Sequence, residues 1–511
     1  MLGLRTATLV RLSRLPLIPS TRSLARCFHK TIMDHHEGTR ANCIVGRTDV
    51  PGSKIKSPIP DYLARLMREI GSDNPGATAS YIPELKNADP NRLAIAVSTI
   101  DGYVYTAGDA DIEFSIQSIS KAFVYALVLE EHGIDYVRER IGVEPSGEAF
   151  NELSLEEGTG RPLNPMINAG AIAAYTLVGE PQISESERFE KVRKGLSAFA
   201  GRELAFDESV FLSEIKTAYR NIAIANMLRN YNTISQNPED VIVSYTRQCA
   251  ISVTTRDLAL MSATLANGGV QPVTGEQVVS RQVVRQVMSV MLTCGMYDEA
   301  GEWLATIGFP SKSGVAGGII GALPGQVGIA TWSPRLDSHG NSERGVRMCK
   351  RLSDDMGLHI MDAPEPARGV VRRDYLIGSP KGDKDKHIAA VMSLQGTINF
   401  TSAERITRIM AARSIDTPNV HIDSFVLDLR SVFSMNRVAR RMVREIVRRL
   451  RRTCMRVSLV DPEHLLQMHK VGTPDVAEDM VCDDVFDDLS QFDDWERISV
   501  NKEEMKQLDL D

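Results

Sequence analysis

Cysteine is scarce in this chain: seven residues (Cys27, Cys43, Cys249, Cys294, Cys349, Cys454 and Cys482), odd in number and with no Cys-x-x-Cys pair among them. That excludes a disulfide scaffold and a structural zinc ribbon, and it fits a reducing compartment. No window approaches the roughly 20 consecutive apolar residues that a membrane helix needs. His-Glu-x-x-His, the Walker A phosphate loop and Gly-x-Gly-x-x-Gly are all missing, so no metal, nucleotide or dinucleotide cofactor is expected. The Gly-x-Ser-x-Gly elbow is missing too, and His132, His339 and His359 stand outside any dense polar cluster. A histidine-assisted serine hydrolase is thereby disfavoured.

What is present describes a globular chain of several units. The 511 residues, 43% apolar and 24% charged, have the balance of a globular protein and the length for about two to four folding units. Charge is unevenly distributed. Residues 1–33 carry six basic side chains (Arg5, Arg11, Arg14, Arg22, Arg26, Lys30) and no acid, the pattern of a mitochondrial transit peptide; translation from Met33 would leave a cytosolic product. Residues 474–511 carry 14 acids against Arg497, Lys502 and Lys506, and are expected as an acidic, disordered tail. The formal net charge of −7 belongs to these ends, and the stretch between them is close to neutral.

Proline, glycine and a charged run break the periodicity over 361–386, which reads as a linker between a unit at 50–360 and one at 387–473. In the larger unit, Leu93–Thr99 and Tyr103–Ala107 flank Asp101-Gly102, a hairpin signal. Helical spacing follows through Ile119, Phe123 and Leu127 to a stop at Gly133. Helices are expected at 222–227, 254–266 and 280–291, and strands at 314–318 and 327–332. Strands at both ends with helices between them predict an α+β unit whose sheet joins the two ends.

Phe114-Ser115-Ile116-Gln117-Ser118-Ile119-Ser120-Lys121 places Ser118 and Lys121 three apart at a helix start. That spacing puts both on one face, where a desolvated amine can take the hydroxyl proton. The pattern alone is weak, but Lys312-Ser313-Gly314 stands downstream where serine acyl-transferases carry Lys-Thr-Gly. Tyr219-Arg220-Asn221 fits the middle element loosely. These features leave the substrate open: an amide or peptide hydrolase of the penicillin-recognising type, or a silent scaffold, remain alternatives.

Longer words narrow this. Tyr81-Ile82-Pro83-Glu84-Leu85, Phe114 to Lys121, Glu144-Pro145-Ser146-Gly147, Asn164 to Ala171, Cys294-Gly295-Met296-Tyr297-Asp298 and Lys312 to Gly318 together resemble the serine-dependent glutaminases over about 50–360. The resemblance implies a β-lactamase-like fold and hydrolysis of L-glutamine to L-glutamate and ammonia without a cofactor. It implies Ser118 as nucleophile, Lys121 as base, and Tyr297 and Tyr81 as aids to proton transfer. Glutamine binding would fall to Ser118, Asn168, Glu214, Asn221, Tyr245, Tyr297 and Val315. The set suits a zwitterion, with one carboxylate for the ammonium and neutral groups for the rest. Homo-oligomers are common in that family.

The smaller unit alternates strand and helix: strand-like 389–394, a return at 396–400, helix 402–412, strand 424–429, an amphipathic helix 437–450 and strand 455–460. It resembles a STAS domain, a small α/β module that binds a protein or nucleotide partner. Asn436-Arg437-Val438-Ala439 replaces the family's Asp-Ser-Ser-Gly, so the phosphorylatable serine is missing. The arginines of that helix lack interleaved aromatics and any reader motif. A solvated or partner-binding face, open to the acidic tail, is expected rather than a nucleic-acid surface.

Overall fold

The computed structural model describes residues 57–498 except 148–151, 153, 363–369, 380–386, 415–420, 475 and 478–479. The leader expected at 1–33 lies outside the described residues. The chain divides into two compact units, meeting in sequence at Asp362 and Ala363.

The first unit contains helix α1 (Ile59–Gly71), strands β1 (Ala94–Thr99) and β2 (Val104–Gly108), then a run of helices. These are α2 (Ser120–His132), α3 (Asn168–Thr176), α4 (Glu185–Ala200), α5 (Glu208–Lys216), α6 (Tyr219–Asn230), α7 (Pro238–Cys249), α8 (Thr255–Ala266) and α9 (Arg281–Cys294). Strands β3 (Ser311–Gly314), β4 (Gly318–Leu323) and β5 (Val327–Trp332) and helix α10 (Glu343–Met356) complete it. The five strands form an antiparallel sheet in the order β2-β1-β5-β4-β3. Strands from before the helical stretch thus pair with strands from after it, Ala96 opposite Ala330.

Successive strand residues face opposite sides, so the sheet feeds two cores. Ile95, Val97, Ile319 and Ile329 pack with Leu63 and Leu66 of α1 and Met348 and Leu352 of α10; each fully buried aliphatic side chain contributes about 1.5–3 kcal/mol. Ala96, Ile320 and Ala330 face Leu258, Ala259 and Met261 of α8 and the apolar side of α2. Helix α8 is held at its start by reciprocal bonds between Thr254 and Asp257. It lies so close to the sheet that a Cβ on Gly328 would stand 2.1 Å from the Ala263 nitrogen. Helix α2 is buried on every side from Ser120 to Ala126, the mark of a central helix.

One strand boundary departs from expectation. The stretch 314–318 is the turn between β3 and β4. Gly317 has φ +92° and no room for a side chain against the Ser333 oxygen, so the chain reverses there.

The second unit contains β6 (Val371–Gly378), β7 (Ile388–Ile398), α11 (Phe400–Arg413), β8 (Ser424–Met435), α12 (Arg437–Arg452), β9 (Arg456–Val460), β10 (Asp484–Phe486) and β11 (Glu496–Ile498). Its six-stranded sheet runs β10-β9-β8-β7-β6-β11. Strands β7 to β10 are parallel, while β6 and β11 are antiparallel to their neighbours. The expected return at 396–400 is the end of β7 itself. Gly396, at φ +76°, sits where the register slips against β8, a bulge rather than a turn.

The expected linker holds β6, whose Leu376 and Ile377 are buried in the sheet. The acidic tail, expected as disordered, supplies β10 and β11. Its apolar residues explain this: Phe486, Leu489, Phe492 and Trp495 cover Ile377, Val391, Val426 and Val460 on the sheet face opposite α11 and α12. Two of its acids are paired as well. Asp484 accepts from Arg456 at 2.6 Å and Lys470 at 2.8 Å, and Asp483 from Arg451 of α12 at 3.3 Å. No helix among the described residues is long and apolar enough to cross a membrane.

Candidate active site

The start of α2 is fixed from several directions. Phe114–Ser115 pairs with Ser252–Val253, Phe114 stacks on Trp332 at 4.6 Å, and Ser120 is bonded to the Gln117 oxygen and to Gln248. Between these anchors Gln117–Ile119 forms one tight turn. Gln117 has φ +50°, a conformation uncommon for a residue with a side chain and one that recurs at functional sites. The turn presents Ser118 at the floor of a cavity of about 290 Å³, also lined by Tyr81, Asn168, Glu214, Arg220, Asn221, Tyr245, Cys249 and Val315.

Lys121 lies one helical turn beyond Ser118 and is 1% exposed. Burial lowers its amine to a pKa of about 8. Its Nζ donates to Asn168 Oδ1 at 2.6 Å, and Asn168 Nδ2 donates to Asn221 Oδ1 at 2.9 Å. Two neutral amides from α3 and α6 therefore continue the polar line from the amine into the cavity.

Glu214 is the cavity's carboxylate. Its Oε1 accepts from the Tyr81 hydroxyl at 2.8 Å and from Gln117 Nε2 at 3.0 Å. Burial raises its pKa, and these two hydrogen bonds oppose the rise. Tyr81 is 46% exposed as a residue, yet its hydroxyl is turned inward, and burial with the Glu214 charge holds its pKa well above the usual value. Tyr245, fully buried on α7, is likewise pushed up by burial.

Tyr297 borders a second cavity of about 270 Å³, together with Met166, Cys294 and Leu304. Its hydroxyl is hydrogen-bonded to the Ser118 side chain, and burial pushes its pKa up to about 12. Val315 lies in the turn between β3 and β4 and lines the same cavity as Ser118. Seven of the nine site residues expected from the sequence, Ser118 included, line the first cavity; Lys121 is joined to it through Asn168 and Tyr297 through Ser118. Six further lining residues were not among the expected ones: Gln117, Thr217, Ala218, Thr246, Cys249 on α7 and Arg220, which sits at the rim paired with Glu152 at 2.5 Å. Gln117 had a signal in its place beside Ser118. Arg220 had one beside Asn221, while Cys249 had none, since only the fold of α7 brings it here.

A mixed α/β unit with a buried amine behind a serine, and a cavity holding one carboxylate among neutral amides and hydroxyls, defines an amidohydrolase for a small zwitterionic amide. The comparisons carry this to a family. A glutaminase family model matches residues 76–361, and the chain belongs to the glutaminase family. It is 49% identical over 412 residues to a glutaminase of Corynebacterium efficiens, covering 81% of this chain and 94% of that one. It is 44% identical over 405 residues to glutaminase 1 of Bradyrhizobium diazoefficiens, covering 77% of this chain and 65% of that one. Among solved structures, Mglu in its tris and glutamate form aligns with a TM-score of 0.71 at 42% identity, covering 81% of this chain and all of that one. A probable glutaminase from Bacillus subtilis, complexed with 6-diazo-5-oxo-L-norleucine, aligns at 0.55 and 33% identity, covering 61% of this chain. The 412-residue match is longer than everything up to residue 361, so the likeness reaches into the second unit. These relatives are bacterial, which argues against a mitochondrial reading of residues 1–33.

Proposed function

We propose that Ser118 is the nucleophile and Lys121 the general base in the reaction of this glutaminase, the hydrolysis of L-glutamine to L-glutamate and ammonia. The observation that carries the proposal is the buried amine of Lys121, with a pKa of about 8, one helical turn from a serine whose hydroxyl bonds Tyr297. An amine near neutrality accepts a proton that an ordinary lysine refuses.

In the proposed sequence Lys121 takes the Ser118 proton as Oγ attacks the side-chain carboxamide carbon. Backbone N–H groups of Ser118 and Val315 receive the developing oxyanion, where each donor is worth about 3 kcal/mol. Tyr297 passes its proton to the departing nitrogen and is reprotonated by the Lys121 ammonium; ammonia leaves, and an acyl ester to Ser118 remains with the amine neutral again. Water, deprotonated by that amine, then cleaves the ester to glutamate, and the proton returns from Lys121 to the Ser118 oxygen.

Glu214, held by Tyr81 and Gln117, receives the substrate ammonium, and Asn168, Asn221 and Tyr245 hold the carboxylate and carboxamide without adding charge. We read the catalytic unit as β-lactamase-like, supported by its antiparallel sheet and by the serine and lysine at the start of the central helix. The second unit is read as a STAS-like module for a protein or nucleotide partner, supported by its β7-α11-β8-α12-β9 order, and the enzyme as a homo-oligomer. Ammonia release from glutamine, with asparagine as the shorter competitor, tests the substrate reading: glutamine is turned over and asparagine is poor. Equal turnover of the two amides would contradict it.

A further inference from the structure

Lys312 carries no part in the mechanism above, yet it is completely buried, with 0% exposure. A buried ammonium is costly unless its protons are satisfied, and here Nζ donates to the Gly295 oxygen at 3.0 Å and the Ser313 oxygen at 2.7 Å. It also lies 4.4 Å from the centre of the Tyr297 ring, within the range of a cation–π contact. The two carbonyls belong to different segments. Gly295 begins the turn that carries Tyr297, and Ser313 is in β3. The same two segments are joined by the Ser313 N–H to the Gly295 oxygen at 3.4 Å and by the Tyr297 hydroxyl to the Ser313 oxygen at 3.3 Å. They approach so closely that a Cβ on Gly295 would stand 1.8 Å from the Ser311 oxygen.

The turn needs such a fastening. Tyr297 has φ +55°, a left-handed conformation that costs a bulky residue on the order of 1–3 kcal/mol and persists only where the surroundings impose it. We infer that Lys312 is a positioning residue of the reaction: its amine, bonded to the Gly295 and Ser313 oxygens beside the Tyr297 ring, pins the strained turn that presents Tyr297 to Ser118. The inference rests on the proposed roles of Ser118, Lys121 and Tyr297.

Lys312→Met, which keeps the length and removes the donors, tests this in the full chain. The expected result is a folded protein whose kcat falls on the order of 100-fold with little change in KM. In a double-mutant cycle with Tyr297→Phe the two losses are expected to be far from additive. Unchanged kcat in a folded Lys312→Met protein, or additive losses, would overturn the inference. Should Lys312→Met not fold, Lys312→Gln, which keeps a donor for one of the two carbonyls, is expected to lose kcat with KM little changed; unchanged kcat in that variant would equally overturn it. Glutamine turnover by the wild type and its loss in Ser118→Ala are measured alongside, and their failure would count against the site reading, not against Lys312.

Discussion

Lys121 and Asn168, 47 positions apart in sequence, meet with the lysine Nζ 2.6 Å from the asparagine Oδ1. The contact orients an amine that burial has already brought to a pKa of about 8. Orientation matters because a lysine side chain is otherwise free to rotate away from the serine. Asn168 in turn is held by Asn221, so the base, the amide that aims it and the cavity wall form one connected line.

The first prediction concerns pH. A base works only when unprotonated, and most Lys121 amines carry a proton below their pKa. The logarithm of kcat/KM should therefore climb with pH below about 8 and level off above it. Lys121→Met should lose about 10²–10⁴-fold in kcat and abolish this limb. A flat profile in the wild type from pH 6 to 9 would remove Lys121 as the base.

Recognition rests on Glu214. Glu214→Gln keeps the shape and can still bond Tyr81, but it removes the charge facing the substrate ammonium. Steady-state kinetics should show kcat/KM for glutamine falling about 10- to 100-fold, mainly through KM. Tyr81→Phe, which removes one of the two bonds holding the carboxylate, should produce a smaller change of the same kind. An unaltered KM in Glu214→Gln would remove the ammonium role.

Close packing of α8 on the sheet gives a stability prediction. Gly328→Ala places a methyl 2.1 Å from the Ala263 nitrogen, and neither backbone can move without disturbing the sheet. Urea unfolding should show a loss of about 1–3 kcal/mol. A loss of only a few tenths would mean that α8 sits farther from the sheet.

The acidic C-terminal region should behave as structure. Trp495→Ala removes an aromatic that covers the sheet face of the second unit beside Phe492, at 5.6 Å between ring centres. A destabilisation of about 3 kcal/mol is expected, read as a lower Tm for the transition of that unit. An unchanged Tm would indicate that the segment contributes nothing to the fold.

The sequence made some of this legible and hid the rest for identifiable reasons. The β1–β2 hairpin was readable because Asp101-Gly102 is a local turn signal, and α2 because Gly133 ends it. Strand β6 was not, since prolines, glycines and a charged run on both sides masked the short apolar core of Leu376 and Ile377. Strands β10 and β11 were hidden by charge: a run of aspartates looks solvated until Arg451, Arg456 and Lys470 arrive from elsewhere to pair with it. The site was legible where its residues stand inside long words, as Ser118, Lys121, Asn168 and Tyr297 do. Cys249 reaches the cavity only through tertiary packing, which no local pattern announces.

The central claim is that the Ser118 oxygen attacks the carboxamide. Ser118→Ala, assayed for ammonia release from L-glutamine and, in the same preparation, for glutamine binding by calorimetry, tests it most directly. The account predicts turnover reduced to background with binding preserved. Turnover at the wild-type rate in the folded variant would contradict it.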